Sequence, residues 1–406
     1  MLRLPRADAG LARLTVVLGL AGAVVAGGTG AMLLSGSSGP LAVIGGPQPA
    51  PAPTVGVALE GAHGATVPWA SPLTFSVTDG TIASLTARAT DGTVLPGTLT
   101  PTRWTSTSTL VPTQAYRLHA QLRNRDGRTT AVDKLVRASA ATSVLHASVS
   151  PAGGVYGIGQ AAIVRFDHPV TGAPARTAVL TRLQASSTPA VEGAWHWYNS
   201  HEVHYRGRDY WRPGTVVQVT AALAGLRVPG TDIWGDAAPV TQSYAIGDAV
   251  VGTVDVTAHT MTVTRNGAVV RVIKVSTGRD KYPTKGGVHI VLVREKTHLY
   301  DSATVGIPTA SPDGYYEYLP WSVRISNGGA FVHANPGTTS VQGIRNVSHG
   351  CVNTSVADAR WFYDNSKLGD LVNVIHSVAP PNRGDAGMAD WNYTWAEWKA
   401  GGLTGY

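Results

Sequence analysis

The amino-acid sequence predicts a mainly β protein of several domains. Between residues 55 and 247, short segments alternate apolar and polar side chains, and Asp-Gly pairs at 79–80, 91–92 and 126–127 separate several of those in the first half. Alternation with a period of two is the pattern of a half-buried strand, and turn signals at intervals of about 8 to 12 residues are typical of β-sandwiches. At 406 residues, 43% of them apolar, the chain is long enough for about two to four domains.

The charge and cysteine content exclude several classes of protein. The 32 Lys and Arg residues exceed the 25 Asp and Glu residues by 7, but the basic residues are scattered singly and form no stripe with interleaved aromatics. We therefore expect a diffuse affinity for anionic surfaces and no nucleic-acid partner. A single cysteine excludes intramolecular disulfides and multi-cysteine zinc or iron–sulfur sites.

Residues 1–36 have the pattern of an export signal. Three arginines precede a long, uncharged, largely apolar stretch at 14–34. This predicts a signal peptide cleaved near Ala23 or Ala31, or a retained signal anchor, because the stretch can span a bilayer. Either way the rest of the chain is expected to be extracytoplasmic, in the cell envelope, secreted or held at the membrane. Residues 37–54, rich in Gly, Pro, Ser and Ala, are interpreted as a linker.

Two tandem immunoglobulin-like β-sandwich modules are expected next, over residues 55–144 and 145–247. Alternating runs at 116–122 in the first and at 162–166 and 215–220 in the second support them. Each segment is close to the length of about 100 residues that one such module needs.

Two motifs in the second module are interpreted as structural. The Gly-Ile-Gly sequence at 157–159 matches part of a dinucleotide-binding fingerprint, but an alternating β-branched segment follows it where a helix is needed. The His-Glu-Val-His sequence at 201–204 brings its two histidines one residue too close for the helical zinc motif.

A further β domain is expected over residues 248–378. It begins with a hairpin, in which strand-like segments flank Asn266-Gly267, a dipeptide that favours two-residue turns. Strands continue through 288–293. Later in the domain, Ser355 as N-cap with Asp358 three residues on predicts a short helix.

The chemistry is expected around Cys351, the lone cysteine. It lies just before the predicted helix N-terminus, where partial positive charge would lower the pKa of the thiol. A free thiol in an exported protein favours a nucleophile over an inert core residue. His333, eighteen residues upstream and at the end of an alternating strand, is the candidate general base. His349 is expected to orient the loop or to contact substrate.

The alternative interpretation of the same residues is a metal site. Cys351, His333 and His349 would supply three ligands, with no obvious fourth. We therefore expect no metal and no other cofactor.

The C-terminal residues 379–406 are rich in tryptophan. Trp391, Trp395 and Trp398 are spaced at i, i+4 and i+7, which predicts one helical face packed against the preceding catalytic domain.

The motif around Cys351 resembles the signature of the L,D-transpeptidases, the YkuD domain family. The resemblance rests on His333, a gap of fourteen residues, and the sequence Ser-His-Gly-Cys-Val-Asn at 348–353. It extends over about residues 250–378. The module before it and the Trp-rich tail are similar to those of large modular actinobacterial members.

This resemblance implies the formation of 3→3 cross-links in peptidoglycan. Cys351 would attack the carbonyl before the terminal D-Ala of a donor tetrapeptide stem, and the acyl-enzyme would pass to the side-chain amine of an acceptor stem. His333 would be general base and acid, with the backbone carbonyl of Ala334 as its partner. Amides of His349, Gly350 and Cys351 would form the oxyanion hole. Carbapenem-type β-lactams are implied as inhibitors.

Further positions of the family pattern imply substrate contacts. These are Tyr315, Gly328, Gly329, Asn346, Ser348 and Asn353. Two positions of the lid segment depart from the pattern, Tyr300 and Val305, where a Met and a Tyr are common, and this alters the donor pocket.

Two competing interpretations stay open. A cysteine carboxypeptidase or endopeptidase of the cell wall would share the Cys–His pair but transfer the acyl group to water. A non-catalytic wall-binding protein would depend on the Ig-like modules and not on Cys351.

Overall fold

The computed structural model describes residues 55–60, 62–381, 383 and 389–403. By its internal contacts the chain divides into two units, Met1–Ala52 and Pro53–Tyr406, and all the described residues fall in the second. The predicted export signal and linker lie outside the described residues. Within the described part, none of the helices is both long and apolar enough to cross a membrane.

The first module is a sandwich of two four-stranded sheets. Their orders are β1-β3-β6-β5 and β2-β8-β7-β4. Strand β7 shows why the segment folds this way, because its alternate residues Tyr116, Leu118, Ala120 and Leu122 are all buried in the core between the sheets. The strands are β1 (Gly56–Glu60), β2 (Thr66–Val67), β3 (Thr74–Thr78), β4 (Gly80–Ala89), β5 (Gly97–Leu99), β6 (Arg103–Ser106), β7 (Ala115–Asn124) and β8 (Thr129–Ala138).

The second module is also a sandwich, with sheets β10-β12-β15-β14 and β11-β18-β16-β13 and a helix α1. Strands β9 and β17 pair in parallel beside it, and Trp234 of β17 packs edge-on against Trp69 of the first module at 5.4 Å. The elements are β9 (Ser143–Leu145), β10 (Ala147–Ser150), β11 (Val155–Tyr156), β12 (Ala162–Phe166), α1 (Ala173–Leu180), β13 (Leu183–Thr188), β14 (Gly193–Trp197), β15 (Glu202–Gly207), β16 (Val216–Ala221), β17 (Ile233–Gly235) and β18 (Val240–Ile246).

The third domain contains two sheets, β21-β20-β19-β27-β22 and β23-β24-β25-β26. The predicted Asn-Gly hairpin is confirmed as β20 and β21, and the predicted helix is confirmed as α2, where the Ser355 hydroxyl accepts a hydrogen bond from the amide of Asp358. The elements are β19 (Val250–Asp255), β20 (Thr260–Arg265), β21 (Ala268–Lys274), β22 (Gly287–Ile290), β23 (Val293–Asp301), β24 (Tyr316–Arg324), β25 (Phe331–Ala334), β26 (Val352–Thr354), α2 (Val356–Asn365) and β27 (Leu371–Ile375), with 3₁₀ turns at Ser302–Val305 and Pro336–Val341.

The glycines at 157 and 159 form the junction between the second module and the third domain. Their amides donate to the carbonyls of Leu368 and Gly369 over 2.7 and 2.9 Å. A Cβ on Gly157 would lie 2.1 Å from the amide nitrogen of Asp370, so only glycine allows this approach. The interpretation of this motif as structural is confirmed.

His204 is also structural, since it is fully buried between two carboxylates. Its ring nitrogens lie 2.7 Å from Glu202 of the same strand and 2.9 Å from Asp390 of the C-terminal tail. Burial disfavours a charged ring, but the two carboxylates overcome that effect and raise the pKa of His204 to about 9. The ion pairs therefore fasten the tail to the second module.

The predicted arrangement of the tail tryptophans is wrong. Trp391 lies in a 3₁₀ turn, Asp390–Asn392, whereas the helix α3 spans Trp395–Lys399. The two are separated because Thr394 adopts an extended backbone and caps α3 with a capping box. The indole nitrogens of Trp391 and Trp398 donate to carbonyls of Gly159 and Ala194, so the tail packs mainly on the second module. Asn392 also bonds to both backbone groups of Val288 in the third domain.

Candidate active site

Cys351 lies at the end of a turn that leads into β26. This strand pairs in parallel with β25, with Val352 opposite Val332 and Asn353 opposite His333. Because residues two apart along a strand share a face, Cys351 and His333 project to the same side of the sheet. The Tyr300 ring is tilted against the His333 ring, with the centroids 4.6 Å apart, and it belongs to the apolar cluster against which Cys351 packs.

The expected lowering of the Cys351 pKa is wrong. The strand β26 separates the thiol from the N-terminus of α2, so the helix dipole does not act on it directly. Burial instead raises the pKa of Cys351 to about 11, although an amide hydrogen bond from Phe331 opposes that rise. The protonated sulfur lies 3.7 Å from the carbonyl oxygen of Gly329. The side chain of Cys351 is therefore a neutral thiol near pH 7.

His333 is buried in β25 and held by a backbone group. Its Nδ1 donates a hydrogen bond of 2.9 Å to the carbonyl oxygen of Ala334. A carbonyl can only accept, so this bond fixes the tautomer and leaves Nε2 unprotonated. Burial lowers the pKa of His333 to about 4, with the Ala334 carbonyl acting in the opposite direction. The ring is therefore neutral and able to accept a proton.

The turn before Cys351 is shaped by Ser348 and Gly350. The Ser348 hydroxyl donates to the carbonyl of Cys351 over 2.6 Å and accepts from the amide of Gly350 over 3.1 Å. Gly350 has a φ of 121°, a conformation that disfavours any residue with a Cβ. The Gly350 amide is thus occupied within the turn, whereas the amides of His349 and Cys351 donate to no acceptor within the described part of the chain.

His349 lies beside the thiol in a ring of polar and aromatic side chains. Its Nε2 is 2.7 Å from the guanidinium of Arg279, and the rings of Tyr282 and Tyr315 lie 4.9 and 5.0 Å away. Burial, followed by the charge of Arg279, lowers the pKa of His349. Tyr315 therefore borders the site as expected.

Gly329 lies against Cys351, and Gly328 precedes it in the loop between β24 and β25. Gly329 has a φ of 93°, and its carbonyl faces the sulfur. A Cβ at Gly329 would lie 2.9 Å from the Val305 side chain, which places Val305 of the lid segment against this loop.

The expected substrate contacts of Asn346, Ser348 and Asn353 stay predictions. The side chain of Asn346 accepts from the amide of Thr277 and meets the His259 ring, and it donates to the carbonyl of Val256. Asn353 is only 2% exposed and Ser348 only 7%. These side chains therefore contribute to the framework of the loop.

Two residues important to the site were missed at the sequence level. Thr284 donates to the carbonyl of Gly350 and accepts from the amide of Gly278, each over 2.9 Å. Arg279 contacts His349 and also Asp313 of the lid segment. The charged run Arg-Asp-Lys at 279–281 was the available sequence signal for Arg279.

Among the described residues, no group of three or more His, Cys, Asp or Glu side chains is arranged to hold a metal ion.

The chain was compared with known families and structures. Residues 64–227 match a bacterial Ig domain model, and residues 249–374 match the YkuD model, an L,D-transpeptidase catalytic domain. The chain is 36% identical to L,D-transpeptidase 2 of Mycobacterium tuberculosis over 84% of this chain and 83% of that protein. It is 36% identical to L,D-transpeptidase 1 of the same organism over 56% of this chain and 84% of that protein.

A solved structure supports the same family assignment. The LD-transpeptidase LdtMt1 in complex with imipenem is 35% identical and aligns with a TM-score of 0.50, covering 57% of this chain and 99% of that chain. The matched sequence, the YkuD region around Cys351 and the preceding Ig region lead to one conclusion: the chain belongs to the L,D-transpeptidase family.

Proposed function

We propose that this protein is a peptidoglycan L,D-transpeptidase that forms 3→3 cross-links through a cysteinyl acyl-enzyme. The donor is a tetrapeptide stem, and the acceptor is the side-chain amine of the third residue of a second stem. This proposal rests on the state and position of the His333 ring. The ring is neutral, is held at Nδ1 by the Ala334 carbonyl, and lies on the same face of the sheet as Cys351.

The first half-reaction transfers the acyl group to the enzyme. As the sulfur of Cys351 bonds to the carbonyl carbon, its proton passes to Nε2 of His333. Collapse of the tetrahedral intermediate breaks the amide bond, and His333 returns that proton to the nitrogen of the leaving D-Ala. A thioester remains on Cys351.

The second half-reaction reverses these roles. The acceptor amine attacks the thioester and loses a proton to His333, and the thiolate leaves and takes the proton back. The products are the cross-linked dimer and the free thiol. No side-chain carboxylate or amide is required, because the Ala334 carbonyl orients the ring.

The negative charge that develops on the carbonyl oxygen of the substrate needs hydrogen-bond donors to stabilise it. The amides of His349 and Cys351 are the candidates, since they are unoccupied within the described residues, whereas the Gly350 amide is bonded to Ser348. The proposed oxyanion hole therefore has two amide donors, fewer than the three that the resemblance implied.

The location follows from the substrate. We place the protein outside the cytoplasm, in the cell envelope, with residues 1–36 as export signal or anchor and the two Ig-like modules as a spacer toward the wall. Deleting residues 55–142 should reduce cross-linking in cells while leaving the purified enzyme active. Unchanged cross-linking in cells would contradict the spacer role.

The function is tested with purified protein and a disaccharide-tetrapeptide substrate. Mass spectrometry should detect a dimer that has lost one D-Ala, and this product should disappear in Cys351→Ala. Products limited to hydrolysed stems would favour the carboxypeptidase or endopeptidase alternative. Full function in cells of the Cys351→Ala variant would favour a wall-binding protein.

A covalent inhibitor gives an independent test of the nucleophile. The similar LdtMt1 was solved in complex with imipenem. We expect incubation with imipenem to add one inhibitor mass to this protein and none to Cys351→Ala. An adduct that persists in the variant would overturn the assignment of Cys351.

A further inference from the structure

A cluster of charged side chains joins the lid segment, residues 302–315, to the catalytic loop. Asp313 of the lid accepts hydrogen bonds from Arg279, from Lys281 at 2.5 Å and from the Tyr282 hydroxyl at 3.0 Å. These three donors lie in the segment after β21, so the carboxylate of Asp313 anchors the lid to that segment.

Arg279 makes a second contact from the same side chain. Its Nη2 atom, which bonds to Asp313, also lies 2.7 Å from Nε2 of His349. A guanidinium has five donors and no acceptor, so Nε2 of His349 must be the acceptor. In the neutral ring the proton is then on Nδ1.

The Nδ1–H of His349 is left for a ligand. Among the residues that the structure describes, Nδ1 has no hydrogen-bond partner, and the side chain is 22% exposed. His349 is two residues before Cys351, so its ring borders the place where the donor stem must lie.

We propose that Arg279 is a positioning residue that holds the lid through Asp313 and fixes His349 in the Nδ1–H tautomer, so that this N–H donates to the bound donor stem. The inference rests on the proposed function. It assigns to Arg279 a role that acts through His349 and not on the reacting atoms.

The surroundings of His349 keep its ring neutral. The charged and titratable groups that face it are Arg279, Lys281, Asp313, Tyr282, Tyr315 and Cys351. Burial and the two cations lower the pKa of His349, and Asp313 opposes them. Removal of Arg279 would leave Asp313 close to the ring and favour the imidazolium.

The tautomer can be observed directly by NMR of the full chain labelled with ¹⁵N-histidine, with His349→Gln used to assign the signal among the 13 histidines. We expect protonated Nδ1 and unprotonated Nε2 in the wild type, a mixture of tautomers in Arg279→Met, and restoration in Arg279→Lys. A wild-type signal from Nε2–H, or an unchanged signal in Arg279→Met, would overturn the proposal.

A matched control separates this effect from a loss of stability. Arg271 pairs with Asp358 at similar exposure, on the same domain but at α2. Arg271→Met should leave the His349 signal unchanged. A similar shift in both variants would contradict a specific role for Arg279.

The rate of acylation by imipenem provides the second readout. At about pH 8, where the neutral ring of His349 would mix its two tautomers, we expect Arg279→Met to react roughly tenfold more slowly than the wild type, with partial recovery near pH 6 because the imidazolium carries a proton on Nδ1 in any case. An equal loss at both pH values would contradict the proposal. If the wild type forms no adduct, the proposed function fails, whereas the NMR experiment still decides the tautomer.

Discussion

His333 and Ala334, neighbours in the chain, are joined by a hydrogen bond from the imidazole Nδ1 to the backbone carbonyl, 2.9 Å long. The group that orients the His333 ring therefore cannot be removed by any side-chain substitution. His333, the proposed base, can be replaced.

His333→Gln should abolish most of the acylation of Cys351. A glutamine cannot take up the thiol proton, and general acid–base catalysis contributes roughly 10² to 10⁴-fold. The rate of adduct formation with imipenem, followed by mass spectrometry, measures this loss. His298→Gln is the matched control, because His298 packs on Phe331 nearby but bonds to Glu295. A comparable loss in both variants would count against His333 as the base.

Alkylation of Cys351 by iodoacetamide should rise by about tenfold per pH unit between about pH 6 and pH 10. The reason is that the pKa of the thiol is raised to about 11 and the His333 pKa is lowered to about 4, so no thiolate–imidazolium pair forms at rest. The chain has one cysteine, so mass spectrometry reports this site alone. A rate that is already constant near neutral pH would reveal a preformed thiolate.

Ser348→Ala should slow acylation roughly 10- to 100-fold. The hydroxyl makes two hydrogen bonds within the turn, and an unsatisfied buried group costs about 1–3 kcal/mol. Stopped-flow measurement of the reaction with imipenem gives the rate of acylation. In the control Ser355→Ala, loss of the α2 N-cap should lower stability by about 1 kcal/mol and leave acylation unchanged. Wild-type acylation by Ser348→Ala would show that the turn does not depend on this side chain.

The free energy of unfolding should decrease as the pH rises above about 6.5 and through about 9. His204 has a folded-state pKa raised to about 9 from 6.5, so its stabilising charge is complete below the lower value and lost above the higher one. Urea titrations at several pH values test this.

A variant of His204 and a variant of an exposed histidine supply the control. His204→Gln removes the cation that pairs with the buried Asp390, whereas Glu202 keeps Arg165, and the change should cost about 3–5 kcal/mol. His119→Gln, in an exposed pair with Asp133, should cost less than about 1 kcal/mol. Equal costs, or a pH slope that persists in His204→Gln, would contradict the role of the buried network.

The sequence predicted the elements that depend on local pattern. The alternation in β7, the Asn-Gly hairpin and the Ser355 cap were all confirmed, because side-chain periodicity and capping are local properties. The position of Cys351 relative to α2 was predicted incorrectly. The short strand β26 between them forms only because β25, twenty residues earlier, is there to pair with it.

Contacts between distant segments could not be predicted from the sequence for the same reason. Nothing in the tail indicated that Asp390 would pair with His204, 186 positions away. The polar Asn346 and Asn353 matched a family pattern, but their burial against Thr277 and Thr338 depends on the packing of the whole loop.

The close approach of Gly157 and Gly159 to residues 368–371 has a consequence for the boundaries of the folding unit. Ile290 and Leu371 of the third domain are buried in the same apolar core as Val164, Val203 and Trp211 of the second module. A fragment cut near residue 248 would expose that core and leave the tail without its docking surface. We therefore expect the smallest part able to fold cooperatively to begin near residue 145.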